Sequence, residues 1–193
     1  AIRVAACPEA AGLGALVVMN DEIHCARDVT KCSTSRLDAF RSPDHGPLGE
    51  VDADRVALHR RPLRDHARDT EFEIENIEIL PRVDILHAYA GGDGALARAA
   101  VAAGAKGIVS AGFAPGETHE PEAAVLREAA ANGIVVVQST RAGTGRVPPT
   151  SRLVANGFVS ADDLTPQKAR VLLALALTQT SDPHRIEQMF HRY

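Results

Sequence analysis

The second half of the chain alternates between strand-like and helix-like patterns of hydrophobic and polar residues. Short β-branched and apolar runs predict strands, and runs with an apolar face predict helices whose ends carry Gly104 and Gly133. The predicted order is strand RVDILHAY, helix GALARAAVAAG, strand GIVSAG, helix EPEAAVLREAAANG and strand IVVVQST. Strands that alternate with helices predict βαβ units with right-handed crossovers, and therefore a small open α/β domain with a parallel sheet.

Two further helices are predicted at the end of the chain. Thr165 and Asp182 each precede a proline, and a capping residue followed by proline is typical of a helix start. The first of these helices, QKARVLLALALTQ, is apolar almost all round. We therefore expect it to be buried against its own sheet, with another subunit as a further candidate for covering it.

The first half of the chain has shorter and less regular patterns. AIRVAACPEAAG predicts the last turns of a helix that stops at Gly12, and GALVVMN predicts a strand buried on both faces of a parallel sheet. ARDVTKC predicts a short extended segment, and SRLDAFRS predicts a short amphipathic helix that ends before Pro43. GPLGEVDADRVALHRRP predicts a hairpin around a turn at residues 52–54.

These patterns predict an α/β chain in two parts. Residues 63–80 are charge-rich and weakly periodic, as in an interdomain linker. We therefore expect residues 1–62 to be a partial N-terminal α/β domain of buried strands plus a hairpin. Residues 81–193 should form a small open parallel-sheet domain of the Rossmann or flavodoxin-like kind. Because the sequence opens on a helix end without an initiating Met, we expect it to begin inside a domain.

Composition and charge narrow the range of partners. The net charge of −4 and the scattered arginines give no basic surface, which argues against a nucleic-acid partner. The longest apolar runs are well short of the roughly 20 residues needed to cross a bilayer, so no membrane association is expected. Aromatic residues make up 4% of the chain, so small aliphatic side chains must fill the core.

Common catalytic and metal-binding motifs do not occur in the sequence. The three cysteines have no CxxC or metal-ligand spacing, the histidines form no HExxH pattern, and neither a GxSxG nor a phosphate-binding glycine motif is present. We therefore expect no metal and no organic cofactor. Residues 111–118 and 141–151 follow predicted strands, at the edge where open α/β sheets place ligands. These two loops are candidate walls of a site.

Lys31 is the residue that most suggests chemistry. It lies in a tract of hydroxyl and thiol side chains, and on an extended segment it shares a face with Val29. The composition of this tract leaves two interpretations of Lys31 open. Lys31 is either an ordinary strand lysine with its ammonium in water, or a buried lysine that serves as a base because burial lowers its pKa.

The motifs of the whole chain resemble one enzyme family. The segment GALVVMNDEIHCARDVTKCSTSRLDAFRSPDHGPLGEV resembles the matching segment of bacterial L-asparaginases, above all the type II asparaginase/glutaminase branch. LPRVDIL, AGAKGIVSAG and LTPQKARVLLALALTQTSDPHRIEQMF are similar to the C-terminal domain of that family in order and spacing. Together these motifs are too specific to match by chance.

The resemblance implies a two-domain α/β enzyme that assembles as a homotetramer, a dimer of dimers. Such enzymes hydrolyse the side-chain amide of L-asparagine to L-aspartate and ammonia without a cofactor, and L-glutamine is left open as a second substrate. The family uses a threonine nucleophile and a supporting Thr-Asp-Lys group, whose lysine falls on Lys31. The resemblance leaves both a periplasmic and a cytoplasmic location open.

The sequence also departs from the family pattern. Neither the GGTI-type motif nor the TDT motif occurs in it, so the nucleophile threonine and two partners of Lys31 are missing and the chain alone is expected to be inactive. In a substrate-binding loop, Pro115 and Glu117 stand where many relatives have asparagine, and an acidic position of some relatives falls near Thr150. Glu117 either supplies that missing carboxylate or is an ordinary solvated loop residue.

Two other functions therefore remain open. The chain could be a non-catalytic fragment or an assembly module of an asparaginase. It could also belong to a related amidase that acts on misacylated tRNA or another amide, although the missing basic patch argues against tRNA.

Overall fold

The computed structural model describes residues 1–193. Contacts within the chain divide it into two compact units, Ala1–Glu71 together with Tyr193, and Phe72–Arg192. The first unit is built on antiparallel strands and the second on parallel strands covered by helices. The predicted mixed α/β class, with a parallel sheet in the C-terminal part, is confirmed.

The first unit contains a four-stranded antiparallel sheet and a separate two-stranded ribbon. Its elements are helix α1 (Ile2–Ala5), a 3-10 turn (Pro8–Ala10), and strands β1 (Leu16–Met19), β2 (Glu22–Cys25), β3 (Thr30–Lys31), β4 (Phe40–Arg41), β5 (Gly49–Val51) and β6 (Val56–Leu58). The sheet has the order β1-β2-β5-β6, and β3 pairs with β4 in the ribbon. One face of the sheet packs on a small core that includes Val4, Leu13, Ile23, Cys25 and Leu48.

The predicted parallel, doubly buried strand at GALVVMN is wrong. Strand β1 pairs antiparallel with β2, with Leu16 opposite Cys25, and residues 16–18 are only half-buried. The cause is the turn at Asn20 and Asp21, which both have positive φ, of 50° and 61°. A two-residue turn of this kind returns the chain directly beside itself, so no parallel crossover can follow. The predicted hairpin at residues 52–54 is confirmed by the antiparallel pairing of β5 with β6.

The predicted helix at SRLDAFRS is also wrong. Its last residues form strand β4, in which Phe40 lies opposite Lys31. Arg36 and Arg41 both bind the Asp38 carboxylate, which closes residues 36–41 into a turn. Two charge-assisted contacts to one short side chain favour that turn over a helix of barely two turns. At the start of the chain, helix α1 ends at Ala5, well before the predicted stop at Gly12.

The second unit is a parallel sheet flanked by helices. Its elements are a 3-10 turn (Ile74–Asn76), β7 (Val83–His87), α2 (Ala95–Ala102), β8 (Gly107–Gly112), α3 (Glu120–Ala131), β9 (Val135–Thr140), α4 (Ser151–Ala155), β10 (Val159–Ser160), α5 (Pro166–Ala176) and α6 (Pro183–Arg192). The strand order is β10-β9-β8-β7, and every neighbouring pair is parallel. The sequence predicted β7, β8, β9 and the helices of eight or more residues, with some ends a few residues away from the observed ones. It missed α4 and β10 because each is short.

Helix α5 packs closely on the centre of this sheet. A Cβ at Gly107 of β8 would lie 2.7 Å from Leu173 Cδ2, so glycine allows the helix to approach the strand. Ala169, Leu173 and Ala176 are buried, whereas Val171 is 52% exposed. The expectation that this helix is buried all round is therefore met on one face only. None of the helices in the structure has the length and apolar character needed to span a membrane.

Candidate functional site

Lys31 lies on the two-stranded ribbon of the first unit. It is opposite Phe40, and the next residue, Cys32, donates its backbone N–H to the Ala39 carbonyl at 2.7 Å. The Lys31 side chain is exposed, with Nζ 5.9 Å from the centre of the Phe40 ring. Of the two interpretations of Lys31, the buried lysine is therefore not observed, and its ammonium is exposed. The ribbon has two residues in each strand and no third strand, so it cannot enclose a long side chain.

Two polar side chains near Lys31 in sequence, Asp38 and Ser33, are bonded to other partners. Arg36 Nε donates to Asp38 Oδ1 at 2.8 Å, and Arg41 also binds this carboxylate. Arg36 first, and then Arg41, lower the pKa of Asp38 to about 2, so that it is ionised near neutral pH. The Ser33 hydroxyl accepts the backbone N–H of Arg36 at 3.4 Å. The carboxylate of Asp38, between β3 and β4, is thus bonded to Arg36 and Arg41.

Pro115 and Glu117 lie in the second unit, where both line one cleft. The cleft is open to solvent and has a volume of about 60 Å³. Its lining comes from the loop after β8, from α3, from β9 and from the segment around α4, and includes Pro115, Gly116, Glu117, Thr118, Glu120, Arg127, Gln138, Val147, Thr150, Arg152, Leu153 and Phe158. Both loops predicted as site walls contribute lining residues. The structure therefore brings Pro115, Glu117 and Thr150 together.

The loop that carries Pro115 and Glu117 is closely packed. The Phe113 N–H donates to the Glu117 carbonyl at 2.6 Å, and the Ala114–Pro115 peptide bond is cis. Gly116 has a φ of +120°, and a Cβ there would lie 2.8 Å from Val147 Cγ1. Only glycine fits this backbone conformation without strain, so the loop has one well-defined path.

A buried polar network holds the same loop from below. The Gln138 side-chain amide donates to the Gly116 carbonyl and, at 2.9 Å, to the Thr118 hydroxyl. Ser110 of β8 lies 2.9 Å from Thr118, hydroxyl to hydroxyl. Gln138 is only 7% exposed. Buried side chains with satisfied hydrogen bonds fix geometry, so the floor of the cleft is rigid.

Ion pairs form the rim of the cleft. The Glu117 carboxylate pairs with Arg152 of α4, and the Glu120 carboxylate pairs with Arg127 at 2.5 Å. Arg127 lowers the pKa of Glu120 through a direct hydrogen bond. Thr150 is the N-cap of α4, because its hydroxyl accepts the Leu153 N–H at 3.2 Å. The rim therefore presents both signs of charge to the cleft.

Three residues of the cleft were not predicted from the sequence: Arg127, Gln138 and Arg152. One signal for Gln138 was available, since it is a polar residue inside the apolar run IVVVQST. A polar residue at the centre of a buried strand needs a partner, and here the partner is a loop turn. No group of three or more histidine, cysteine, aspartate or glutamate side chains is arranged to hold a metal ion.

Comparison with known proteins finds the same family along the chain. The model of the glutaminase/asparaginase C-terminal domain matches residues 82–190, and that of the asparaginase N-terminal domain matches residues 1–64. The chain is 42% identical over its whole length to proteins named "L-asparaginase 2" from Bacillus subtilis (strain 168), of which it covers 51%, and Escherichia coli (strain K12), of which it covers 56%. It is 36% identical to a "Glutaminase-asparaginase" from Pseudomonas fluorescens biotype A, of which it covers 54%.

A solved structure gives the same result for the fold. The "Probable Cytoplasmic L-asparaginase from Campylobacter jejuni" superposes with a TM-score of 0.96 at 40% identity, covering 100% of this chain and 62% of that one. The chain spans about half the length of the curated relatives it matches.

Proposed function

Because this chain belongs to the glutaminase/asparaginase family, we propose that the whole protein is an asparaginase-type amidohydrolase. It hydrolyses the side-chain amide of L-asparagine to L-aspartate and ammonia, with L-glutamine as a second candidate substrate. The observation that carries the proposal is the match of both family models, in order, over residues 1–64 and 82–190. The relatives include proteins named for both amides, which supports keeping both substrates.

We assign the catalytic role in this chain to Lys31. A threonine hydroxyl attacks the amide carbon only after a base has taken its proton, and a lysine amine can take it when an aspartate and a second threonine hold it in place. The hydroxyl oxygen then bonds to the carbon, ammonia leaves with the transferred proton, and water releases L-aspartate. The support for this role is the match of Lys31 and its neighbours in ARDVTKC to the family pattern, because the Lys31 side chain is exposed in this chain. The GGTI-type and TDT motifs, to which the resemblance assigns the nucleophile and the partners of Lys31, do not occur in these 193 residues.

We propose that the loop with Pro115 and Glu117 contacts the substrate. Its fixed path and the charged rim of the cleft support this role, because a polar amino-acid substrate needs placed charges. Glu117 is the candidate partner for the substrate ammonium, although Arg152 already binds the same carboxylate. Thr150 is a helix cap and does not replace a carboxylate.

The remaining parts of the proposal concern the whole protein. Residues 1–62 belong to the N-domain, residues 63–80 link the domains, and residues 81–193 form the C-domain, a division supported by the ranges of the two family models. The assembly is a homotetramer, a dimer of dimers. The relatives carry both "periplasmic" and "Cytoplasmic" in their names, so both compartments stay open for this protein.

The direct test is ammonia release by the full gene product, with L-asparagine, L-glutamine and asparagine-containing dipeptides as substrates. Lys31→Met should lower kcat by roughly 100-fold or more, the range typical of losing a general base. Lys106→Met is the matched control, because Lys106 is an exposed lysine in the second unit. Near-normal turnover by an intact Lys31→Met tetramer would refute the role of Lys31.

The second candidate is a non-catalytic fragment or assembly module, favoured by the absence of GGTI-type and TDT motifs from the chain. The 193-residue chain should release no ammonia on its own. The DNA upstream of Ala1 decides between the two: in-frame GGTI and TDT motifs support the enzyme, and a stop codon or unrelated sequence supports the fragment.

A further inference from the structure

His24 is a buried histidine on the face of the first sheet that lies away from the apolar core. Side chains alternate between the faces of a strand, so Ile23 and Cys25 of β2 point into the core and His24 points to the opposite face. Glu22 shares this second face and its side chain is 45% exposed, yet His24 is 0% exposed. A segment outside the sheet must therefore cover the His24 ring.

The contact of His24 identifies the covering segment. His24 Nδ1 lies 3.0 Å from the hydroxyl of Ser42, a residue that directly follows β4 and is itself 5% exposed. A serine hydroxyl can both donate and accept, so it bonds Nδ1 in either tautomer. This bond joins the central strand β2 to the end of the ribbon that carries Lys31.

The second ring nitrogen of His24, Nε2, indicates that apolar packing does not explain a histidine at this position. Nε2 is buried without a hydrogen-bond partner, although Glu22 Oε2 lies 3.2 Å away. A buried polar atom without a partner is unfavourable, and an apolar side chain would avoid that cost. The hydrogen bond that the His24 ring makes here is the one to Ser42, beside the close approach of Glu22.

The ribbon needs such an attachment. Strands β3 and β4 pair only with each other, and each has two residues. A two-stranded ribbon is at best marginally stable in water. At its start the chain is held by the turn in which Val29 N–H donates to the Cys25 carbonyl at 3.0 Å. At its end it is held by Ser42, through His24 and through the Gly46 N–H bond to the Ser42 carbonyl at 2.7 Å.

We infer that His24 is a positioning residue for Lys31: its bond to Ser42 fixes the β3–β4 ribbon on the second face of the sheet. The catalytic part of this inference rests on the proposed role of Lys31. The structural part does not, and it can be measured on the 193-residue chain without any activity.

The structural test is amide hydrogen exchange in the ribbon. Ser42→Ala and His24→Phe remove the bond, whereas Ser42→Thr and His24→Asn keep a group able to make it. The two variants that remove the bond should speed amide exchange at residues 30–32 by about tenfold or more, while exchange in β1 and β2 stays unchanged. The two variants that keep the bond should exchange at these residues as slowly as the native chain. His59→Asn is the control, because His59 is exposed and lies 3.5 Å from Glu50. Unchanged ribbon exchange in folded Ser42→Ala would overturn the inference.

The functional test is the kinetics of the full gene product. With Ser42→Ala, kcat should fall about tenfold with KM within about twofold, since a displaced base affects the chemical step more than substrate binding. Ser42→Thr should recover most of the loss. If the ribbon exchanges faster but kcat stays normal, His24 attaches the ribbon but does not position Lys31 for catalysis, and the role of Lys31 itself is tested separately by Lys31→Met. If both ribbon exchange and kcat are unchanged, the positioning inference itself fails.

Discussion

At the level of single residues, the charged side chain that a sequence motif identifies is exposed, and one that no motif identifies is buried. Lys31, the residue best identified by its motif, is exposed, and Glu122, which no motif marks, is 4% exposed at the first turn of α3. The DVTK motif identified the lysine by its neighbours in sequence. Burial depends on segments that are distant in sequence, so it could not be predicted from the same letters.

Glu122→Gln should make stability depend less on pH. Burial raises the pKa of Glu122 above its ordinary value of 4.5, while the nearby His119 acts in the opposite direction. The folded state therefore keeps a proton that the unfolded state has lost, and stability falls as the pH rises above 4.5 towards the folded pKa. The variant should gain stability relative to the native chain at pH 7.5 but not at pH 4, measured by urea unfolding.

Glu128→Gln is the control for this prediction, since Glu128 is exposed on the same helix. An equal gain in both variants, or a larger relative gain at low pH, would show that ionisation of Glu122 does not oppose folding.

At the scale of elements, length decided what could be predicted. The six-residue strands β8 and β9 and the helices between the strands gave clear periodicity, and they are present. Strands β3 and β4 have two residues each, too few to show a period. The sequence of β1 is typical of a buried parallel strand, but the turn at Asn20 and Asp21 makes β1 pair antiparallel with β2. Two loops that line the cleft were predicted as site walls, but its polar floor was missed because it joins a loop to a strand across 22 residues of sequence, at Gln138 and Gly116.

Gly112→Ala should disrupt the loop that forms one wall of the cleft. A Cβ at this position would lie 2.6 Å from the backbone of Gly116 and from the Glu117 carbonyl, and backbone atoms cannot move aside cheaply. Overpacking of this kind costs typically about 1–3 kcal/mol. Urea unfolding of the variant should show this loss.

The matched control is Gly143→Ala, where a Cβ would meet nothing within 4 Å. Its stability should stay within about 1 kcal/mol of the native chain. A Gly112 variant as stable as this control would mean that the loop adjusts without strain.

At the scale of the whole molecule, the chain consists of two units with different architectures. Contacts separate them at Glu71 and Phe72, inside the segment 63–80 that composition marks as a linker. Large apolar side chains in this segment are exposed, among them Leu63 at 99% and Ile79 at 85%. Exposed segments with few buried contacts open easily.

Limited proteolysis should therefore cut first within residues 63–80. Thermolysin, which prefers large apolar residues, should release two fragments that resist further digestion, and mass spectrometry gives their ends. First cuts inside β8 or β9, or uniform digestion, would contradict the proposed linker.

The buried bond between Gln138 and the Gly116 carbonyl has a consequence for motion in the cleft. It attaches one wall to β9, an interior strand whose six residues are all buried, so that wall should open only when the whole unit unfolds. The opposite wall is α4, a helix of five residues whose Arg152 is exposed, and short exposed helices fray on their own. A molecule that enters the cleft therefore contacts one wall that stays in place and one that can move. The Glu117–Arg152 ion pair connects the two walls.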